Sequence, residues 1–130
     1  ILALFLNKEE GKDVEQCPFL NDEENVERVR NAKKILIEKM TTPPSLKELS
    51  REVGLNEYRL KEGFKNIYGE TVFQFLNDYR LDIARQMLDK GNMKVNDAAY
   101  HIGYTNPSHF IAAFKKKFGV TPKKYLISNI

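Results

Sequence analysis

A chain of 130 residues and 15.1 kDa has room for one domain, or one domain and an appendage, and 42% hydrophobic with 30% charged residues are globular proportions. The single cysteine, Cys17, excludes an internal disulfide and a multi-cysteine metal site, and no run approaches the roughly 18 apolar residues of a membrane span. The net charge of +3 hides an asymmetry: residues 1–24 hold two Lys against seven Asp and Glu, so the rest holds 19 basic and 11 acidic groups, a net +8. A basic domain behind an acidic arm points to a polyanionic partner.

Residues 1–20 read as an acidic arm or the remnant of an upstream effector domain. The apolar hexamer ILALFL has no basic region before it and so is no signal peptide. An acidic stretch with Gly11 and Pro18 as breakers follows. The first residue is Ile, which suggests a piece of something longer.

Residues 21–130 read as the domain. Asn21 with Glu24 has capping-box spacing, and Val26, Val29, Leu36, Ile37 and Met40 form the apolar stripe of a helix ended by Pro43 and Pro44. Ser45 with Glu48 opens a second helix by the same rule, stopped at Gly54. Asn56 caps a third, which buries Leu60, Phe64 and Ile67. Thr71 caps the longest helix, with Val72, Leu76, Tyr79, Ile83, Ala84, Met87 and Leu88 on one face. It spans about 27 Å at ~1.5 Å per residue, ending at Gly91.

A short helix with Ala98, Ala99 and Ile102 then stops at Gly103. Thr105, Asn106 and Pro107 form a cap and first turn, and the next helix carries Phe110, Phe114 and Phe118 on one stripe. Thr121 and Pro122 open a last helix toward Ser128. No stretch alternates like a strand, so the chain reads as all-α.

Two segments repeat one pattern. In 45–76, Leu49, Ser50, Val53 and Gly54 correspond to Ala98, Ala99, Ile102 and Gly103 in 94–126. Leu60, Phe64 and Gly69 correspond to Phe110, Phe114 and Gly119, and Thr71, Phe75 and Leu76 to Thr121, Tyr125 and Leu126. Each copy is two short helices joined through a glycine turn, a helix-turn-helix, and together they mark an internal duplication.

With the long helix between the copies, residues 26–127 resemble the DNA-binding domain of AraC/XylS-family bacterial transcription regulators. The residues that carry the resemblance are A-Y-H-I-G-Y at 99–104, then Phe110, Phe114, Lys115, Phe118, Gly119, Thr121, Pro122 and Tyr125. LKEGFK at 60–65 and GETVFQFL at 69–76 are similar to the subgroup that responds to ferric siderophores. The resemblance implies about seven helices in two helix-turn-helix subdomains joined by a long connecting helix, with recognition helices entering successive major grooves. A rigid connector near ~27 Å suits grooves repeating about every 34 Å. It also implies double-stranded DNA as partner, RNA polymerase as a further candidate, and an effector-binding or dimerisation domain outside this chain. A cytoplasmic protein that is not an enzyme, uses no cofactor or metal and touches no membrane is the corresponding expectation.

On the first recognition helix the expected DNA-facing set is Asn56, Tyr58, Arg59, Lys61, Glu62 and Lys65. The family's base-contact positions fall on Tyr58, Lys61 and Glu62. Lys61 suits guanine acceptors, and Glu62 suits the cytosine amino group. A basic residue is frequent where Glu62 stands, and an ordinary exposed face with Glu62 paired to Arg59 or Lys65 is the plainer reading.

On the second, the set is Thr105, Asn106, Ser108, His109, Ala112, Lys115 and Lys116. Alanine offers only a methyl contact where the family usually has arginine, and Lys115 and Lys116 neutralise phosphates, with Lys117 turned partly away. The helix starts at Ser45 and Thr121 are candidate phosphate contacts through backbone N–H groups. His101 reads as a solvated or capping residue. The alternative function is a helix-turn-helix domain used for protein docking, for which Glu62 and Ala112 speak.

Overall fold

The computed structural model describes residues 23–128 except position 92. The acidic arm at 1–20 and the proposed cap Asn21 lie outside the described residues. Seven helices are described, with no strand among those residues: α1 Glu23–Glu38, α2 Leu46–Val53, α3 Glu57–Tyr68, α4 Val72–Asp89, α5 Val95–His101, α6 Pro107–Phe118 and α7 Pro122–Ser128. The described chain divides into two compact units. One takes residues up to Ile35 together with Pro44–Val72; the other takes Leu36–Pro43 and the residues from Phe73 on.

In the first unit the helix ends are set locally. Ser45 Oγ accepts from the Glu48 N–H at 3.1 Å while the Glu48 carboxylate accepts from the Ser45 N–H at 2.9 Å, so two otherwise orphaned donors are satisfied reciprocally. Gly54 ends α2 at φ +81°, its N–H donating to the Ser50 and Arg51 carbonyls, and Leu55 also donates to Ser50. Asn56 Oδ1 then accepts from the Arg59 N–H at 2.7 Å and starts α3. Val29, Ala32, Leu49, Leu60 and Phe64 are fully buried in this unit.

The second unit repeats the design with different caps. Lys94 precedes α5 without a side-chain cap bond, Ile102 closes that helix, and Gly103 turns the chain at φ +101°. Asn106 Oδ1 accepts from the Ser108 N–H at 2.9 Å, and Pro107 occupies a first-turn position that needs no donor. The core gathers Leu81, Ala84, Leu88, Ala98, Ala99, Ile102, Phe110 and Phe114. Phe114 lies at its centre, with ring centroids 4.5 Å from Phe118, 5.8 Å from Phe110 and 5.8 Å from Tyr125.

Three sequence expectations are corrected. α1 ends at Glu38, ahead of the two prolines, so Met40 lies beyond the helix. The buried face of α4 runs through Val72, Leu76, Leu81, Ala84 and Leu88, whereas Tyr79, Ile83 and Met87 are half-buried. Ala32 on α1 is fully buried although the stripe passed it over, because alanine carries little hydropathy yet allows close helix approach.

Candidate nucleic-acid interface

On α3, Leu60, Gly63 and Phe64 are buried, and this seam turns the other residues to solvent. Tyr58 is 71% exposed, and Asn56, Arg59, Lys61, Glu62 and Lys65 are exposed beside it. Asn56 already uses its side-chain oxygen as the cap. Among the described residues, Glu62 forms no ion pair with Arg59 or Lys65, so the plainer intrahelical pairing is not made. Its carboxylate stands ready as an acceptor among three cations.

On α6, Phe110 and Phe114 are buried and Ser108, His109, Ala112, Lys115 and Lys116 are exposed. Thr105 and Asn106 are exposed ahead of them, Asn106 again engaged as a cap. The lysine run divides. Lys117 Nζ lies 3.5 Å from Asp78 and 3.7 Å from Asp82, both on α4, so its charge is answered inside the unit. Lys115 and Lys116 form no ion pair among the described residues and remain for an external anion.

The two helix starts are less free than their spacing implies. At Ser45 the capping box engages two N–H groups and places the Glu48 carboxylate at the helix end. At Thr121 the hydroxyl accepts from the Lys124 N–H at 3.3 Å, and Pro122 has none to give, leaving the Lys123 N–H with the exposed Lys123 and Lys124 side chains nearby in sequence. His101 is exposed in the last turn of α5.

What the sequence reading missed lies behind the turns. Arg28 of α1 donates through Nη1 to the Gly54 carbonyl at 2.9 Å and to the Val53 carbonyl at 3.4 Å, and through Nη2 to Glu24 at 2.8 Å. Arg80 of α4 donates through Nε to the Met40 carbonyl at 2.6 Å and sets its guanidinium 5.9 Å from the Tyr104 ring centroid. The Tyr104 hydroxyl donates to Asn77 Oδ1 at 2.5 Å, and its ring meets Phe110 edge-on. No local signal marks these contacts; their partners are 26 and 40 residues away in sequence.

Burial raises the Tyr104 phenol from its ordinary value, against the pull of Arg80, and lowers the Arg80 guanidinium from its own. Burial raises Tyr68 likewise, with Arg30 opposing and Glu27 reinforcing. Folding thus favours the protonated phenols. Their contribution to stability is full below about pH 10 and is lost as pH climbs through the raised values. Thermal midpoints measured in steps above about pH 10 are expected to fall, and less steeply in Tyr104→Phe.

Comparison with known proteins agrees with this geometry. A family model described as a helix-turn-helix domain matches residues 49–127. The regulatory protein PchR of Pseudomonas aeruginosa is 40% identical over 86 residues, which are 66% of this chain and 28% of that protein. The chain spans less than a third of the length of PchR and of VirF from Yersinia enterocolitica, the latter matched at 29% identity over 85 residues. An AraC-type regulator structure from Chromobacterium violaceum matches with a TM-score of 0.71 at 20% identity, covering 79% of this chain and 92% of that one. The DNA-binding domain of AdpA, solved with a target DNA, matches at TM-score 0.72 and 17% identity, covering 78% and 91%. Two glycine-turned helix pairs, a buried apolar seam under each second helix and a matched family model over most of the described chain lead to one conclusion: this chain belongs to the AraC-type helix-turn-helix family of DNA-binding domains.

Proposed function

We propose that the chain binds double-stranded DNA sequence-specifically as the DNA-binding module of a transcription regulator, with α3 and α6 each entering a major groove. The observation that supports this best is the shared polarity of the two helices. Each buries its apolar seam completely, at Leu60 and Phe64 or at Phe110 and Phe114, and presents a polar, largely cationic face opposite. In this reading Tyr58, Lys61 and Glu62 read bases from α3, and Ser108, His109 and Ala112 do so from α6. Arg59, Lys65, Lys115 and Lys116 neutralise phosphate. The helix starts at Ser45 and Thr121 add backbone donors.

The rest of the regulator follows the same reading. An effector-binding or dimerisation domain belongs to the longer protein, RNA polymerase is a further partner, and the setting is the cytoplasm, where the DNA is. The module itself is not catalytic. The likeness to PchR supports the narrower placement among ferric-siderophore-responsive regulators.

The docking alternative draws on Glu62 and Ala112, and one substitution tests both readings. Ala112 is exposed, so Ala112→Arg is expected to leave stability within about 0.5 kcal/mol. In the complex the new guanidinium reaches a guanine edge, for about 1–3 kcal/mol of discrimination. Selection from randomised duplexes is expected to return tighter binding with G enriched opposite α6. Unchanged affinity and motif would mean that this face does not meet DNA.

A further inference from the structure

Each of the two turns that aim the recognition helices is backed by an arginine from the helix before it, Arg28 through the turn's own carbonyls and Arg80 through the Tyr104 ring. Arg28 reaches from α1 to the carbonyls at the end of α2, and Glu24, one helical turn earlier, fixes the other arm of its fork. A guanidinium at those carbonyls complements the negative end of the helix dipole. The approach is close: a Cβ on Gly54 would collide with Arg28 Nη1.

In the other unit, Arg80 reaches from α4 to the Met40 carbonyl and lies against Tyr104, whose hydroxyl is tied to Asn77 one helical turn earlier on α4. A Cβ on Gly103 would lie 2.9 Å from Arg80 Nη2. Arg28 thus occupies the volume that Gly54 leaves, Arg80 shares that beside Gly103 with the Thr41 backbone, and each arginine is steadied with help from its own helix. Each arginine lies on the helix that precedes its repeated segment, Arg28 on α1 and Arg80 on α4.

We propose that Arg28 and Arg80 are matched positioning residues, each fixing from behind the turn that aims one recognition helix, so that each governs the base preference of its own half-site and not the other's. The inference rests on the DNA-binding reading above. Physically, only a few residues separate each glycine from the first turn of α3 or α6, so a rotation at the turn swings every base-contacting side chain on that helix. Neither arginine is on a DNA-facing surface set, and each makes its contacts inside one unit. Its loss therefore misaligns one helix and leaves the phosphate-neutralising lysines in number unchanged.

The test is selection from randomised duplexes by the full chain and by Arg28→Met and Arg80→Met, at a temperature where circular dichroism shows each variant folded. A salt titration on a mixed-sequence duplex accompanies it. Arg80→Met is expected to lose about tenfold in base preference, the worth of one misaligned side chain–base pair, at positions read by α6, with those read by α3 retained. Arg28→Met is expected to do the reverse, and neither is expected to change the salt slope.

Arg28→Lys and Arg80→Lys keep the charge without the fork, and are expected to show the same half-by-half loss in smaller measure; they carry the test if a methionine variant does not fold. Equal loss in both halves, or an unchanged motif, overturns the proposal. A wild type that selects no two-part motif overturns the DNA reading itself and this inference with it.

Discussion

Gly103→Ala is expected to lower the thermal midpoint far more than Gly119→Ala, although both glycines sit at positive φ in the same unit. At Gly119, φ +85°, an added Cβ meets nothing within 4 Å, so the penalty is the left-handed backbone alone, about 1–2 kcal/mol. At Gly103, φ +101°, the Cβ would lie 2.6 Å from the Thr41 carbonyl oxygen and 3.0 Å from its Cα, which is backbone and cannot rotate aside. Overpacking adds about 1–3 kcal/mol, for a total of roughly 2–5 kcal/mol. For a domain stable by about 5–15 kcal/mol that is a large fraction. Differential scanning calorimetry of the two variants side by side checks the ordering. Equal midpoints would show that the segment at Thr41 yields freely and that the turn at Gly103 is not close-packed.

Lys115→Ala with Lys116→Ala is expected to halve the salt dependence of DNA binding. If about four phosphates are neutralised, log K against log salt has a slope near −3.6, and removing two contacts brings it to about −1.8. On the counterion term alone the two lines meet near 1 M salt, so the gap at 0.1 M is about 10^1.8, roughly 60-fold in affinity. Sequence preference is expected to change little, because phosphate contacts carry no base information. Lys117→Ala is the informative companion. Its charge faces Asp78 and Asp82, and its slope is expected to match that of the wild type. A slope near zero for the unsubstituted chain would favour protein docking over DNA binding. A slope that moves for Lys117→Ala would mean the internal pairing gives way on DNA.

How much was legible beforehand follows from the range of each interaction. The capping box at Ser45 and Glu48, the Asn56 cap, the Asn106 and Pro107 start and the glycine stops all act within a few residues, and all are found where the spacing placed them. The all-α class and the outward sets on α3 and α6 were legible for the same reason. Once Leu60 and Phe64, or Phe110 and Phe114, are buried, the period of 3.6 residues assigns the remaining positions to solvent.

The sequence by itself determined the starts of α2, α3 and α6 and the glycine turns, that the helix-turn-helix occurs twice, and which side chains on α3 and α6 face outward; the end of α1 at Glu38 it did not. Those properties follow from hydrogen bonds and side-chain periods contained in single segments. Only the tertiary structure decided that Leu81 and Ala32 are core while Tyr79 and Ile83 are half-buried, since burial depends on which surfaces a helix meets and not on its own hydropathy. It alone separated Lys117 from its two neighbours, because a lysine's role is set by the nearest carboxylates, here supplied by another helix. It alone put Arg28 against Gly54 and Arg80 against Met40, through contacts between residues 26 and 40 apart that no local pattern encodes.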